Sequence, residues 1–403
     1  MKIIKKDGTV EGWNGEKIKE AVYKAAARVN QYVEPDVLNK LVEKVHSCLI
    51  IDRDAPTKDL HKEVIHYLKY FGLTDVANSY QEYRDYKNTY AKSFEKVKDE
   101  ADNVLLLGDR ENANFDSSLV STKGSLIKGY LTKELYRQFY LSKEEKELTK
   151  RGDIYIHDMR DMLMGSVNCC LFDIGNVLRG GFSMSNVDYT EPTSVLSALQ
   201  VIGDITLVAT AQQFGGFSLS QLDMVLLPYC HKTLEKAYEH AKHSFPDEGR
   251  FAWIAYSKDT LKNELKQGFQ SLELKLNTVP CSRGDFAFTT ISFGCWNAPQ
   301  WLGRYLTNKD RWILKDICEA ILTTRMNGHG ENHKPVVFPK LVYLYEENYL
   351  SLFQEARDVF ELAIECSSKC MYPDFLSLTG DWAHSSVGKQ YMENKQVVTP
   401  MGA

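Results

Sequence analysis

Residues 165–182 read GSVNCCLFDIGNVLRGGF, and the strand-like run inside them, VNCCLFDI (167–174), decides what kind of domain surrounds it. Successive side chains of a strand point to opposite faces, so at most one of Cys169 and Cys170 looks into a given cavity while the other packs behind it. Two buried, inert thiols are the plain alternative, since a free cysteine behaves as a small hydrophobe. The chain has nine cysteines, at 48, 169, 170, 230, 281, 295, 318, 366 and 370, with no CxxC pair. That scatter supports neither a secreted disulfide framework nor a four-cysteine zinc site.

Around this run, strand-like stretches alternate with long helical patterns. GDIYIHD (152–158) lies upstream, and helices are predicted over about 193–213, 220–244 and 257–277. DFAFTTISFG (285–294) and KPVVFPKLVYLYEE (334–347) read as strands, separated by the helix DRWILKDICEAILTTRM (310–326). The pattern is that of an α/β domain, without a repeat of 20 to 50 residues.

The first 95 residues form a unit of another kind. Two short strands flank Asp7-Gly8, a dipeptide that favours a two-residue hairpin turn. Asn14 caps a helix with Ile18, Val22, Ala25 and Val29 on one stripe, Pro35 opens a second helix, Thr57 caps a third that ends at Gly72, and a fourth starts near Asp75. The expectation is a four-helix bundle with a hairpin lid. Residues 96–130, containing GDRENANFDSSLVSTKG (108–124), read as a polar, turn-rich linker and entry segment, and 131–403 as the larger domain.

Lys+Arg at 49 against Asp+Glu at 54 leaves a net charge of −5 over 403 residues, so the basic field that duplex nucleic acid requires is missing. Apolar runs fall far short of the roughly 20 residues that span a bilayer, and MKIIKKDGTVEGW lacks the apolar core of a signal peptide. The expectation is a cytoplasmic protein with neither a membrane nor a nucleic acid as partner. Within the first unit, Lys5, Lys6, Lys17, Thr57 and His61 sit on the hairpin or near the starts of helices, where cations and helix N-terminal amides can hold a triphosphate. Solvated surface lysines are the competing reading.

KIIKKDGTVEGWNGEKIKEAV (2–22), APTKDLHKEVI (55–65) and ANSYQEYRDYK (77–87) together resemble an ATP-cone, the allosteric nucleotide-binding module of ribonucleotide reductases. The resemblance implies that Lys5, Lys6, Glu11, Lys17, Thr57, His61 and Lys87 hold the phosphates of ATP or dATP and distinguish the two effectors. From about residue 100 onward, GDIYIHD, the Cys-Cys run, PTSVLSALQVIGDITLVATAQQFGG (192–216), LPY (227–229), FTTISFG (288–294), PVVFPKLVYLYEE (335–347) and CSSKCMYPD (366–374) follow in an order similar to anaerobic (class III) ribonucleoside triphosphate reductase, a glycyl radical enzyme. The implied fold is the first half of a ten-stranded α/β barrel. Cys169 then corresponds to the reducing cysteine on the first barrel strand, with His157 and Asn168 beside the substrate.

In that family TPMG (399–402) leads into a finger loop, and the next residue is the cysteine that carries the thiyl radical; here it is Ala403. The resemblance implies a ribonucleoside triphosphate substrate, ATP and dNTP effectors, a homodimer or larger assembly, and a reductant such as formate. It further implies a glycyl radical and a zinc site in a C-terminal part or second chain, and a separate activase with an Fe-S cluster and S-adenosylmethionine. A chain with Ala403 is expected to be inactive alone, as an engineered fragment, an inactivated form, or one piece of a split or intein-interrupted gene. The alternative from another class is a nucleotide-sensing regulator built on a dead barrel. The helix over 193–213 is expected at the dimer interface, with ordinary core packing through Val195, Leu199, Ile202 and Ile205 as its alternative.

Other signals are weaker. HGENH (329–333) lacks the HExxH order, so no metal is assigned; Cys366 and Cys370 suit helix packing; and QQFGGF (212–217) lacks GxGxxG spacing, its glycines pointing instead to a close helix–sheet approach.

Overall fold

The computed structural model describes residues 2–5, 8–49, 54–106, 116, 118–165, 167–184, 186–281, 284–379, 388–389 and 393, except for the side chains of Asp54 and Leu106. The chain divides into two units, Met1–Asp99 and Glu100–Ala403.

In the first unit β1 (Lys2–Ile4) pairs antiparallel with β2 (Val10–Gly12) and parallel with β3 (Asp54–Pro56). The turn between β1 and β2 differs from the two-residue expectation. The Gly8 amide donates to the Lys5 carbonyl and the Lys5 amide to the Thr9 carbonyl, so three residues lie between the closing pair, with Gly8 at φ +78°. Strand β3 was not legible either: three residues ending in proline show no alternation.

Helices α1 (Gly15–Arg28), α2 (Pro35–Leu49), α3 (Thr57–Tyr70) and α4 (Thr74–Leu106) follow. Asn14 caps α1 as expected, accepting from the Glu16 amide at 3.0 Å. Thr57 does not cap α3; Pro56 holds the cap position without a side-chain bond, and Thr57 is the first helical residue. Val22, Leu38, Leu41, Val45, Val64 and Leu68 are fully buried between these helices. Each contributes on the order of 1.5–3 kcal/mol by leaving water. Helix α4 continues to Leu106 through sequence read as turn-rich, because KVKDEADNVLL (96–106) is polar yet made of residues a helix tolerates, with no Gly or Pro before Gly108.

The second unit opens with α5 (Val120–Phe139) and α6 (Lys143–Arg151), the latter held by a capping box between Ser142 and Glu145. GDIYIHD forms no strand. Gly152 ends α6 in the left-handed conformation, and Ile154 and Tyr155 are exposed. Then come β4 (Cys170–Leu171), α7 (Ile174–Leu178), the hairpin of β5 (Phe182–Met184) and β6 (Val187–Tyr189), and α8 (Val195–Thr210). After β7 (Phe217–Leu219) lie α9 (Leu222–Ser244), α10 (Gly249–Thr278), β8 (Thr289–Phe293), α11 (Asn308–Asn327), β9 (Lys340–Tyr345), α12 (Glu347–Leu352), α13 (Gln354–Cys370) and β10 (Asp374–Ser377).

Five of these strands form one sheet in the order β10-β9-β8-β7-β4, every pair parallel, and among the described residues the sheet is not closed. Helix-rich α/β architecture with five parallel strands agrees with the first half of a ten-stranded barrel. Strands β7 and β8 are buried along their whole length, as in a sheet covered on both sides. Val195, Leu199, Ile202 and Ile205 of α8 face the core. No helix among the described residues is long and apolar enough to cross a membrane.

Glu273 of α10 and Arg325 of α11 form a buried ion pair at 2.9 Å, with His329 bonded to the second carboxylate oxygen at 3.0 Å. Glu273→Ala leaves the guanidinium buried and uncompensated, so urea unfolding is expected to register a loss of about 3–5 kcal/mol.

Candidate functional site

Two places gather the residues singled out above. The first is a cleft of about 800 Å³ in the N-terminal unit, and it is lined by Lys5, Glu11, Lys17, Thr57, His61 and Lys87 among others. The hairpin supplies Lys5 and Glu11, α1 supplies Lys17, the start of α3 supplies Thr57 and His61, and α4 supplies Lys87. Lys6 lies outside the described residues. Lys5 follows β1 instead of lying within it.

The Glu11 carboxylate bridges the two lysines, pairing with Lys5 at 2.6 Å and with Lys17. Hydrogen bonds from Lys17 and then Lys5 hold the Glu11 carboxyl down at about 2. Thr57 Oγ1 donates to the Ile4 carbonyl at 2.8 Å, tying the start of α3 to the end of β1. The first turn of α3 has no capping side chain, so its amides and the positive end of its dipole are available to an anion. His61 Nδ1 lies 2.5 Å from the hydroxyl of Tyr80, whose own proton is held more tightly because the ring is buried.

Sequence reasoning missed three cations that line the same cleft: Lys24, Arg28 and Arg84. Helical spacing carried the signal. Lys24 and Arg28 lie seven and eleven residues beyond Lys17 on α1, and Arg84 lies four beyond Tyr80 and three before Lys87 on α4. The Arg28 guanidinium sits 4.1 Å from the ring centre of Tyr83 and the Lys87 ammonium 5.1 Å from it, so this ring anchors a cation from each of two helices.

The second place is the Asn168–Cys169 segment leading into β4. Parallel register sets Cys170 opposite Phe217 and Leu171 opposite Ser218, which in turn faces Thr290. With a side-chain period of two, Cys169 shares the face of Leu171, Ser218 and Thr290, while Cys170 turns the other way and packs against the core. Burial pushes the Cys170 thiol up. Cys169 Sγ donates to Asn168 Oδ1 and accepts from the Gly216 amide, both at 3.3 Å. Ser218 Oγ and Thr290 Oγ1, on that same face, are buried without a hydrogen-bond partner among the described residues.

Gly215 makes this approach possible. Its amide reaches the Asn168 carbonyl at 2.6 Å, and a Cβ there would fall 2.2 Å from Asn168 Oδ1 and 2.5 Å from Cys169 Sγ. The close approach is therefore between the two segments that lead into β4 and β7, in place of the helix–sheet contact expected from QQFGGF. His157 stands apart from this cluster on an exposed turn, 76% accessible, with Asp158 and Tyr155 as its partners. Ala403 lies outside the described residues. Of the weaker signals, His329 bonds Glu273, His333 Nδ1 donates to the Asn327 carbonyl at 2.7 Å, and Cys366 and Cys370 contact carbonyls of α11. No group of three or more metal-ligating side chains occurs among the described residues.

Gly215→Ala is expected to cost about 1–3 kcal/mol by overpacking and to expose Cys169 to alkylation by iodoacetamide. Gly124→Ala, in α5 where an added Cβ meets nothing within 4 Å, is expected to leave stability unchanged or raise it by up to about 1 kcal/mol in the same denaturation assay.

Comparison with known proteins bears on both places. A family model described as anaerobic ribonucleoside-triphosphate reductase matches residues 111–403, and one described as the ATP cone domain matches residues 1–89. The anaerobic ribonucleoside-triphosphate reductase of Haemophilus influenzae is 30% identical over 393 residues, covering 93% of this chain and 52% of its own length. That of Enterobacteria phage T4 is 31% identical over 296 residues, covering 72% and 44%. A solved anaerobic ribonucleotide reductase aligns at TM-score 0.49 and 15% identity over 87% of this chain and 50% of its own. The chain spans about half the length of the curated relatives it matches.

Proposed function

The chain belongs to the anaerobic ribonucleoside-triphosphate reductase family, and on that premise we propose that it forms the effector-sensing unit and part of the catalytic barrel of an enzyme that reduces ribonucleoside triphosphates. The N-terminal cleft is proposed to bind ATP or dATP as allosteric effectors. One observation carries this reading. Among the described residues, six cations from the hairpin, α1 and α4 line a single cleft with the uncapped first turn of α3, against two carboxylates, Glu11 and Glu20. Its volume is in the range of ordinary ligand pockets.

In the barrel, Cys169 is proposed as the thiol that takes part in reducing the substrate, with Cys170 as its core-facing neighbour. Its placement beside Asn168 and on the face of two unpartnered hydroxyls supports a polar ligand in front of it. The part proposed for this chain is to bind and orient the nucleotide and to hold that thiol. A glycyl radical in the rest of such an enzyme would supply the unpaired electron for the reaction. The activase, the zinc site, a homodimer and a cytoplasmic location belong to the same proposal.

Calorimetry with ATP and dATP on the 403-residue chain tests the cleft. Both are expected to bind, and Lys5→Ala and Lys17→Ala are each expected to weaken binding about tenfold or more, as for a lost charge-assisted bond. Normal binding by both variants overturns the assignment. In a complete reductase assembled with Ala403→Cys, Cys169→Ala is expected to abolish deoxyribonucleotide formation while Cys170→Ala retains it; the reverse result overturns the assignment of the two thiols.

A further inference from the structure

The pair made by His61 and Tyr80 carries a consequence for how the cleft reads its ligand. Tyr80 is 5% exposed, and its hydroxyl has one hydrogen-bond partner among the described residues, His61 Nδ1 at 2.5 Å. Were Nδ1 to donate, the phenol proton would be left buried without an acceptor, at a cost of about 1–3 kcal/mol. The phenol therefore donates and Nδ1 accepts, which leaves the single imidazole proton on Nε2. His61 lines the cleft, and its Nε2 has no partner among the described residues.

We propose that Tyr80 is a positioning residue that fixes His61 as the neutral Nε2–H tautomer, so that the cleft offers its anionic ligand an uncharged donor at this point. This rests on the effector reading of the cleft. The charged groups that line the cleft with His61, among the described residues, are Lys5 and Glu11 of the hairpin, Lys17, Glu20, Lys24 and Arg28 of α1, and Arg84 and Lys87 of α4. With the cations in excess, a further positive charge adds little that the lysines and arginines do not already supply. A neutral N–H instead supplies direction. A second proton on the ring would turn Nδ1 into a donor facing a phenol O–H.

The test has two parts, both on the full chain. In the ligand-free protein, ¹⁵N NMR of the imidazole is expected to show His61 with Nδ1 unprotonated and Nε2 protonated, and Tyr80→Phe is expected to give a mixture of tautomers. Calorimetry then compares ATP binding between about pH 8 and about pH 6. The wild-type protein and Tyr80→Phe share the titration of the γ-phosphate, so the ratio of their affinities isolates His61. Freed of the phenol, the imidazole of the variant can take up a proton beside the phosphates. Its affinity relative to wild type is expected to rise about three- to tenfold as the pH falls.

His61→Gln, which keeps a neutral N–H donor, is expected to retain most of the wild-type affinity and the wild-type pH slope, and it serves if Tyr80→Phe does not fold. A wild-type His61 that is Nδ1-protonated or charged when free overturns the proposal, as does an unchanged pH slope in folded Tyr80→Phe or a lost affinity in folded His61→Gln. If wild type binds neither ATP nor dATP, the effector reading falls and takes the binding half of the proposal with it. That failure is distinguishable because the free-state tautomer is read without ligand.

Discussion

The bond from Thr57 Oγ1 to the Ile4 carbonyl, with β3 running parallel to β1 immediately before it, is the constraint on which the N-terminal cleft depends. It sets the uncapped start of α3 against the hairpin, so the amides of one element and the cations of another open onto a single space. A lone hydrogen bond of this kind is worth only about 0.5–1.5 kcal/mol net. Its geometry is held by the apolar core beneath, where Val22, Leu38, Leu41, Val64 and Leu68 leave no exposed surface and fix the helices that carry the charges. The site is thus assembled by packing and specified by polar contacts too weak to assemble it alone.

Much of this was legible in the chain itself, because the signals that survive in a single sequence are the local ones. The 3.6-residue stripe of α1, the Asn14 cap and the proline that opens α2 follow from spacing and propensity, and all three appear in the structure, except that Val29, expected to close the stripe, is an exposed residue just past the end of the helix. Features set by distant partners were not legible. Strand β3 exists because β1 pairs with it some fifty residues away in sequence, and Thr57 serves that junction instead of capping its own helix. The apolar alternation of GDIYIHD suggested a strand, yet no ladder partner meets it, and Ile154 and Tyr155 remain at the surface. Lys24, Arg28 and Arg84 were visible as helix-face neighbours of residues already chosen, but surface cations at such spacing are common enough to pass as solvated charge.

The second unit shows the same division between local pattern and long-range geometry. That Cys169 and Cys170 point apart follows from the pleat alone. Which of them meets the core follows from register, and Cys170 opposite Phe217 answers it. The short distance between Gly215 and the Asn168–Cys169 backbone is invisible to any reading of spacing, since the two segments lie more than forty residues apart and only the missing Cβ hints at contact. Buried hydroxyls at Ser218 and Thr290 carry a desolvation cost that apolar residues of similar size would avoid. A sheet that keeps them on the face of a thiol, instead of filling that face with valine, retains polarity where stability alone would remove it.

Glu11 places the charge of the cleft in a different light. Six cations in one concavity would repel one another strongly if nothing answered them, and the unit would be strained whenever no anion was bound. The Glu11 carboxylate answers two of them and lies where Lys5 and Lys17 converge, a position suited to a phosphate. On the proposed effector reading, an incoming anion would exchange with a tethered one instead of filling an empty positive hole. Part of its Coulombic gain is spent on releasing Glu11, which tempers affinity, and the displaced carboxylate must then move or find another donor. The hairpin that carries Glu11 is held to the rest of the unit by the β1–β3 ladder, by the Thr57 bond and by Ile3, which is buried in the helical core, so a displaced Glu11 would act on a strand tied directly to that core.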